Sequence, residues 1–238
     1  MANFQGLKYL FFLLLILAVP ASAYAEIIVN DTVALSKEEI LIKAETKSGY
    51  FAKGGKIVEF SVNGKSIGSV LSGGDSIAYK IFKTGSPGMY TVFARCGKDT
   101  GSGNILVLKK GSALVFIDIE GSLLAAPFRK KPIKSSRKVI RNIMNSYPVV
   151  YLHTGNIGIG AVREWLRQNG FPDSAVMPWE MGEVFAALYR KGIKIKAVIG
   201  SQAVIDSANA YKPESFGFDE EDTSKNLKAW QEIERKLR

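Results

Sequence analysis

The residue types that could do chemistry in this 238-residue chain stand in three places, each directly after an apolar run. Ala113–Ile117 leads into Asp118-Ile119-Glu120-Gly121-Ser122. Val149–Leu152 leads into His153-Thr154-Gly155-Asn156, and Ile195–Ile199 leads into Gly200-Ser201, with Asp206 further on. Acids and hydroxyls of these types can serve as nucleophile, general acid or oxygen ligand to a cation. They can act together only if the three runs are neighbouring strands, because an open parallel sheet gathers its ligand site at the carboxyl ends of its strands.

The patterning from Ala113 onward predicts such a sheet. Strands are expected at Ala113–Ile117, Val149–Leu152, Ala175–Met177, Ile195–Ile199 and Ser215–Phe218. They alternate with helices expected at about Ser135–Ser146, Gly158–Asn169, Glu180–Lys191, Gln202–Tyr211 and Thr223–Lys236. Strand–helix alternation implies a parallel sheet with helices on both faces. Residues 27–110 read differently. About seven short apolar runs recur between turn signals, the clearest being Asn63-Gly64 directly after the alternating Val58, Phe60 and Val62. Val62-Asn63-Gly64-Lys65 and Pro87-Gly88-Met89-Tyr90-Thr91-Val92 resemble bacterial immunoglobulin-like modules, which implies a β-sandwich and carries no catalytic constellation.

The clusters after Ala113 resemble the motifs of the haloacid-dehalogenase-like (HAD) phosphohydrolases, nearest the capless lipin type. D-I-E-G-S stands where that family has D-x-D-G-T, Val149–Thr154 matches its strand ending in a hydroxyl, and Gly200 to Asp206 matches its last acidic motif in outline. The resemblance implies Asp118 as nucleophile and Mg²⁺ ligand, and Glu120 as the acid that protonates the leaving group. It implies Thr154 as a donor to a phosphoryl oxygen, Ser122 and Gly155 beside the ligand, and Ser201 with Asp206 completing the Mg²⁺ shell. Three departures count against turnover. Glu120 is one methylene longer than the family's acid, Ser201 replaces an acid, and the helix expected to begin with Lys reads Glu180-Met181-Gly182-Glu183. The single histidine, His153, is expected to point away from Thr154 by strand alternation and to serve packing.

Charge narrows the partners. The chain carries 32 Lys and Arg against 22 Asp and Glu, a net charge of +10. Such a protein suits an anionic small molecule, a lipid head group or a membrane surface, and no nucleic acid is expected because aromatic and basic residues do not interleave. Six basic residues fall in ten between Arg129 and Lys138, starting with Arg129, Lys130 and Lys131. That segment reads either as an anion-binding patch at the mouth of the site or as a solvated loop and helix start. Cys96 is the only cysteine, so no intramolecular disulfide can form.

At the N-terminus, Lys8 precedes the apolar run Tyr9–Val19, then Pro20 and Ala21-Ser22-Ala23-Tyr24-Ala25. This is the layout of a cleavable signal peptide, with cleavage after Ala23 or Ala25 and export as the consequence. The expectation is therefore a signal peptide over 1–25, an immunoglobulin-like sandwich over 26–110 and a HAD-like α/β domain over 111–238. The expected function is binding of an anionic ligand or envelope partner with weak or no turnover. The alternative is a Mg²⁺-dependent phosphohydrolase built on Asp118.

Overall fold

The computed structural model describes residues 26–48, 51–52, 54–126, 129–133, 135–155, 157–218 and 223–237. The expected signal peptide over 1–25 and Asn156 lie outside these residues. No helix among the described residues is long and apolar enough to cross a membrane.

The first part contains β1 (Glu26–Val29), β2 (Thr32–Leu35), β3 (Glu39–Ser48), β4 (Phe51–Ala52), β5 (Ile57–Val62), β6 (Lys65–Leu71), β7 (Ile77–Lys83), β8 (Gly88–Cys96) and β9 (Asp99–Leu108). One sheet joins β1, β4 and β7 to β3, and the other runs β2-β9-β8-β5-β6. The two sheets pack as the expected immunoglobulin-like sandwich around Val29, Ile42, Phe60, Val92 and Ile105. The β5–β6 hairpin turns at Asn63 and Gly64, both at positive φ, as the Asn-Gly signal requires.

The second part contains β10 (Ala113–Asp118), the hairpin β11 (Leu124–Ala126) and β12 (Arg129–Pro132), and α1 (Ser136–Ile143). It continues with β13 (Val149–His153), α2 (Ile159–Gln168), β14 (Ala175–Pro178) and α3 (Glu183–Arg190). It ends with β15 (Lys194–Gly200), α4 (Gln202–Ala208), β16 (Glu214–Gly217) and α5 (Thr223–Lys236). The main sheet runs β14-β13-β10-β15-β16, and every pairing in it is parallel. Its central strand β10 sends Val115 and Ile117 to the face covered by α1, α2 and α5, and Leu114 and Phe116 to the face covered by α3 and α4. Three local expectations are corrected. Arg129–Lys131 lie in a strand of a hairpin rather than in a loop. The helix expected from Glu180 opens with a short 3₁₀ turn, Glu180–Gly182, and α4 stops at Ala208 before a second such turn.

The two parts share an apolar core. The expected boundary at residue 110 falls in the turn Lys109–Ser112. Alternate residues of β2 and β9 divide between the two sides. Ala34, Ile105 and Val107 enter the sandwich core, whereas Val33, Leu106 and Leu108 join Leu114, Phe116 and Phe185. Burial on both faces explains why β2 shows no alternation and goes unrecognised in the sequence. Polar contacts fix the register of this interface. The Asp31 carboxyl, fully buried, accepts from Arg163 Nη2 at 2.6 Å and Nε at 3.2 Å, from the Asn104 amide at 2.6 Å and from the Val176 amide at 2.7 Å. Arg163 also donates to the carbonyls of Val29 and Ser102, and Lys191 pairs with Glu38 at 2.6 Å. Burial pushes the Asp31 pKa up, and the Arg163 charge and the two amide bonds only partly offset this.

Removing one member of a buried pair leaves the other charge uncompensated, at a cost of about 3–5 kcal/mol. Arg163→Ala is therefore expected to lower unfolding stability by about that amount in urea denaturation. A loss below about 1 kcal/mol would show that Asp31 does not depend on its partner.

Candidate functional site

Asp118 is the last residue of the central strand, and its register neighbours carry the other two clusters. Asp118 lies beside Leu152 of β13, and Ile117 lies beside Ile199 of β15. Thr154 and Ser201 therefore emerge on either side of Asp118, as the spacing of the apolar runs predicts. The chain leaves β10 through a single π-helical turn, Ile119–Leu123, capped by the Asp118 side chain. The turn is anchored from two directions. Ser122 Oγ donates to the Asp118 carbonyl at 2.6 Å, and the buried Trp230 of α5 donates to the Ser122 carbonyl at 3.3 Å. Close packing also dictates Gly200, since a Cβ there would come within 2.4 Å of the Asp118 Cβ.

The Asp118 carboxyl has 0% exposure, and all its hydrogen bonds come from neutral donors. Oδ1 accepts from the Gly121 amide at 3.1 Å and Thr154 Oγ1 at 3.0 Å. Oδ2 accepts from the Ser201 amide at 3.1 Å and Ser201 Oγ at 2.8 Å. Three of these donors serve Asp118 alone, and the fourth, the Thr154 hydroxyl, has only one proton to offer. Thr154 Oγ1 also approaches Glu120 Oε2 at 3.1 Å, so one hydroxyl bridges the two acids. Glu120 Oε2 further accepts from the Thr154 amide at 3.0 Å.

His153 is placed differently from expectation. Its strand ends at His153 itself, so alternation no longer governs Thr154, and both side chains reach Glu120. His153 Nδ1 lies 2.6 Å from Glu120 Oε1, and Nε2 lies 2.5 Å from the Ile157 carbonyl. A backbone carbonyl can only accept, so Nε2 carries a proton, and a proton on Nδ1 completes an imidazolium facing a carboxylate. The electrostatics agree. The Glu120 hydrogen bond raises the His153 pKa against the opposing effect of burial. Burial pushes Glu120 up, yet the His153 and Thr154 hydrogen bonds and the His153 charge leave it below its ordinary value. The signal for this residue was present in the sequence: a lone histidine sits beside Thr154 in a cluster that has two acids and no lysine.

The other expected site residues divide. Ser122 is buried and turned toward the backbone of its own turn, and Gly155 is exposed beside Glu120. Arg129, Lys130 and Lys131 share the β12 strand that follows this turn, and Lys131 is exposed. Asp206 is on the exposed side of α4, where it accepts from Gln202 and Asn209. A hard divalent cation needs several oxygen donors with free lone pairs directed at one point. The Asp118 carboxyl is buried among amide and hydroxyl donors, Asp206 accepts from Gln202 and Asn209 on the exposed side of α4, and of the three only Ser201 keeps uncommitted hydroxyl lone pairs. Among the described residues no three His, Cys, Asp or Glu side chains group to hold a metal ion. The residues present do not fit Mg²⁺.

No protein-family model matches the chain, and no curated protein is similar to it. Solved structures similar to part of it include a protein from Corynebacterium diphtheriae described as membrane anchored, 21% identical over 37% of this chain and 22% of that one, with a TM-score of 0.34. The D0-D1 domain of intimin is 17% identical over 38% of this chain and 56% of that one, with a TM-score of 0.32. The fibronectin(III)-like modules of CbhA from Clostridium thermocellum are 25% identical over 35% of this chain and 97% of that one, with a TM-score of 0.26. The chain spans less than two thirds of the length of the first two.

The His153–Glu120 pair makes stability depend on pH. His153 is raised above 6.5, so its contribution is complete below that value and is lost as pH climbs through the raised value. On the acid side the contribution is complete above 4.5, the ordinary Glu value, and is lost as pH falls from there through the lowered Glu120 value. His153→Gln should cost about 1–2 kcal/mol between these limits and progressively less in alkaline buffer, followed by thermal melts across the range. A cost that does not change with pH would contradict the charged pair.

Proposed function

We propose that this chain is an exported binding protein whose α/β domain is a HAD-like relative that has given up hydrolysis. In this reading the immunoglobulin-like sandwich carries or presents the α/β domain outside the cytoplasm, and the ligand is anionic. One observation carries the loss of turnover: the Asp118 carboxylate is buried and accepts from Gly121 and Ser201, with the Thr154 hydroxyl shared between it and Glu120. A nucleophile must aim a free lone pair at phosphorus from hydrogen-bond distance of the substrate. Two further observations support the reading. Ser201 occupies the place of a metal-binding acid with a hydroxyl that donates to Asp118. Glu120, which would have to deliver a proton, is held ionised by His153. Export rests on the n-region, apolar run and small-residue cleavage site at the start of the chain. The net charge of +10 supports an anionic ligand.

The test is hydrolysis of a generic phosphomonoester by the mature protein with Mg²⁺, beside Asp118→Asn. We expect no turnover by either protein and no change in melting temperature on adding Mg²⁺. Asp118→Asn should itself melt lower, because its amide NH₂ cannot accept from the Gly121 or Ser201 amides; an unpaired buried donor costs about 1–3 kcal/mol. Mg²⁺-dependent hydrolysis abolished by Asp118→Asn would instead establish the phosphohydrolase.

A further inference from the structure

A second basic feature lies apart from the strand-end cluster. On the outer side of α1, Ser135, Arg137, Lys138 and Arg141 face Gly170, in the turn after α2, across a pocket of about 310 Å³. That volume is at the lower end of small-ligand sites. Three cationic side chains line it, and no carboxylate does among the described residues. Two of the three are already oriented. Arg137 Nη1 donates to the Asn169 carbonyl at 2.8 Å, and Arg141 Nη2 donates to the Gly170 carbonyl at 3.3 Å. Those carbonyls close the C-terminal end of α2, where the helix dipole favours positive charge. Each guanidinium spends one N–H on these bonds and keeps the rest of its fork. Lys138 makes no ion pair or hydrogen bond among the described residues, and all three side chains are exposed.

We infer that this pocket binds a phosphate group, with Lys138 as a point charge and Arg137 and Arg141 as forked donors. The inference rests on the proposal that the ligand is anionic, and it places that ligand on the α1 face rather than at Asp118. The phosphate could be borne by a soluble molecule or by a lipid head group, since both offer the same oxygens to these donors.

The experiment uses the mature chain with two probes: inorganic phosphate, followed by calorimetry, and vesicles of phosphatidylcholine with or without phosphatidic acid, followed by co-sedimentation. Wild type should bind phosphate, and Lys138→Glu should weaken binding about tenfold or more, since a charge-assisted contact is replaced by repulsion. Arg141→Lys keeps the charge but loses the fork, so it should weaken binding by a smaller factor with an unchanged melting temperature. Lys98→Glu, on an exposed turn of the sandwich, should bind as wild type does. Binding of phosphate without vesicle binding assigns a soluble ligand. Binding of phosphatidic acid vesicles that excess phosphate reverses assigns a head group. Undiminished binding by both Lys138→Glu and Arg141→Lys would overturn the pocket while leaving the anionic ligand standing. No binding of either probe by wild type would overturn both.

Discussion

A carboxylate at the end of a central strand stays buried only when its lone pairs are met, because an unsatisfied charge in the interior costs several kcal/mol. Asp118 imposes that condition on everything around it. Its four donors come from three separate segments: the π turn after β10, the residue after β13 and the residue after β15. The ends of the three middle strands are drawn together to a common point, and Gly200 leaves room for them to close. Trp230 of α5 locks the π turn from outside, so the last helix of the chain is tied to the same carboxylate.

Charge balance decides what such a cluster can do. A hydrolytic site of this kind leaves its acids facing solvent and cations. Here hydroxyls and amides satisfy one acid, and an imidazolium satisfies the other. Thr154 bridges the two acids, so moving either would disturb the pair. In the proposed reading, the same geometry that stabilises the strand ends ties up Asp118 and Glu120 and so disfavours phosphoryl transfer.

A second buried carboxylate organises the junction of the two layers. Asp31 accepts from Arg163 of α2, from Val176 of β14 and from Asn104 of its own sandwich. The outer face of β2 and β9 is apolar and covers one face of the parallel sheet, so the sandwich acts as part of the α/β core. Burying Asp31 at this junction selects one orientation of the two parts, since sliding either would break a bond to the acid.

The elements were largely legible in the sequence, and the contacts between clusters were only partly so. Apolar periodicity and the strand–helix alternation were enough to place the five strands of the parallel sheet, and Asn63-Gly64 to place its hairpin, because those signals are local. The three strand-end clusters were also visible, because parallel strands bring their carboxyl ends together. Strand β2 escaped because burial on both faces erases alternation. His153 escaped because the strand ends at that residue, and because its partner Glu120 is 33 positions away. Whether Asp118 faces solvent or four donors could not be read from residue types, since Ser201 and Thr154 suit a ligand as well as they suit Asp118. Only the packing of Gly121 and Gly200 against the acid decided that. Sequence by itself determined which groups meet at the strand ends; tertiary structure decided that they spend their hydrogen bonds on one another, because burial leaves no other partner.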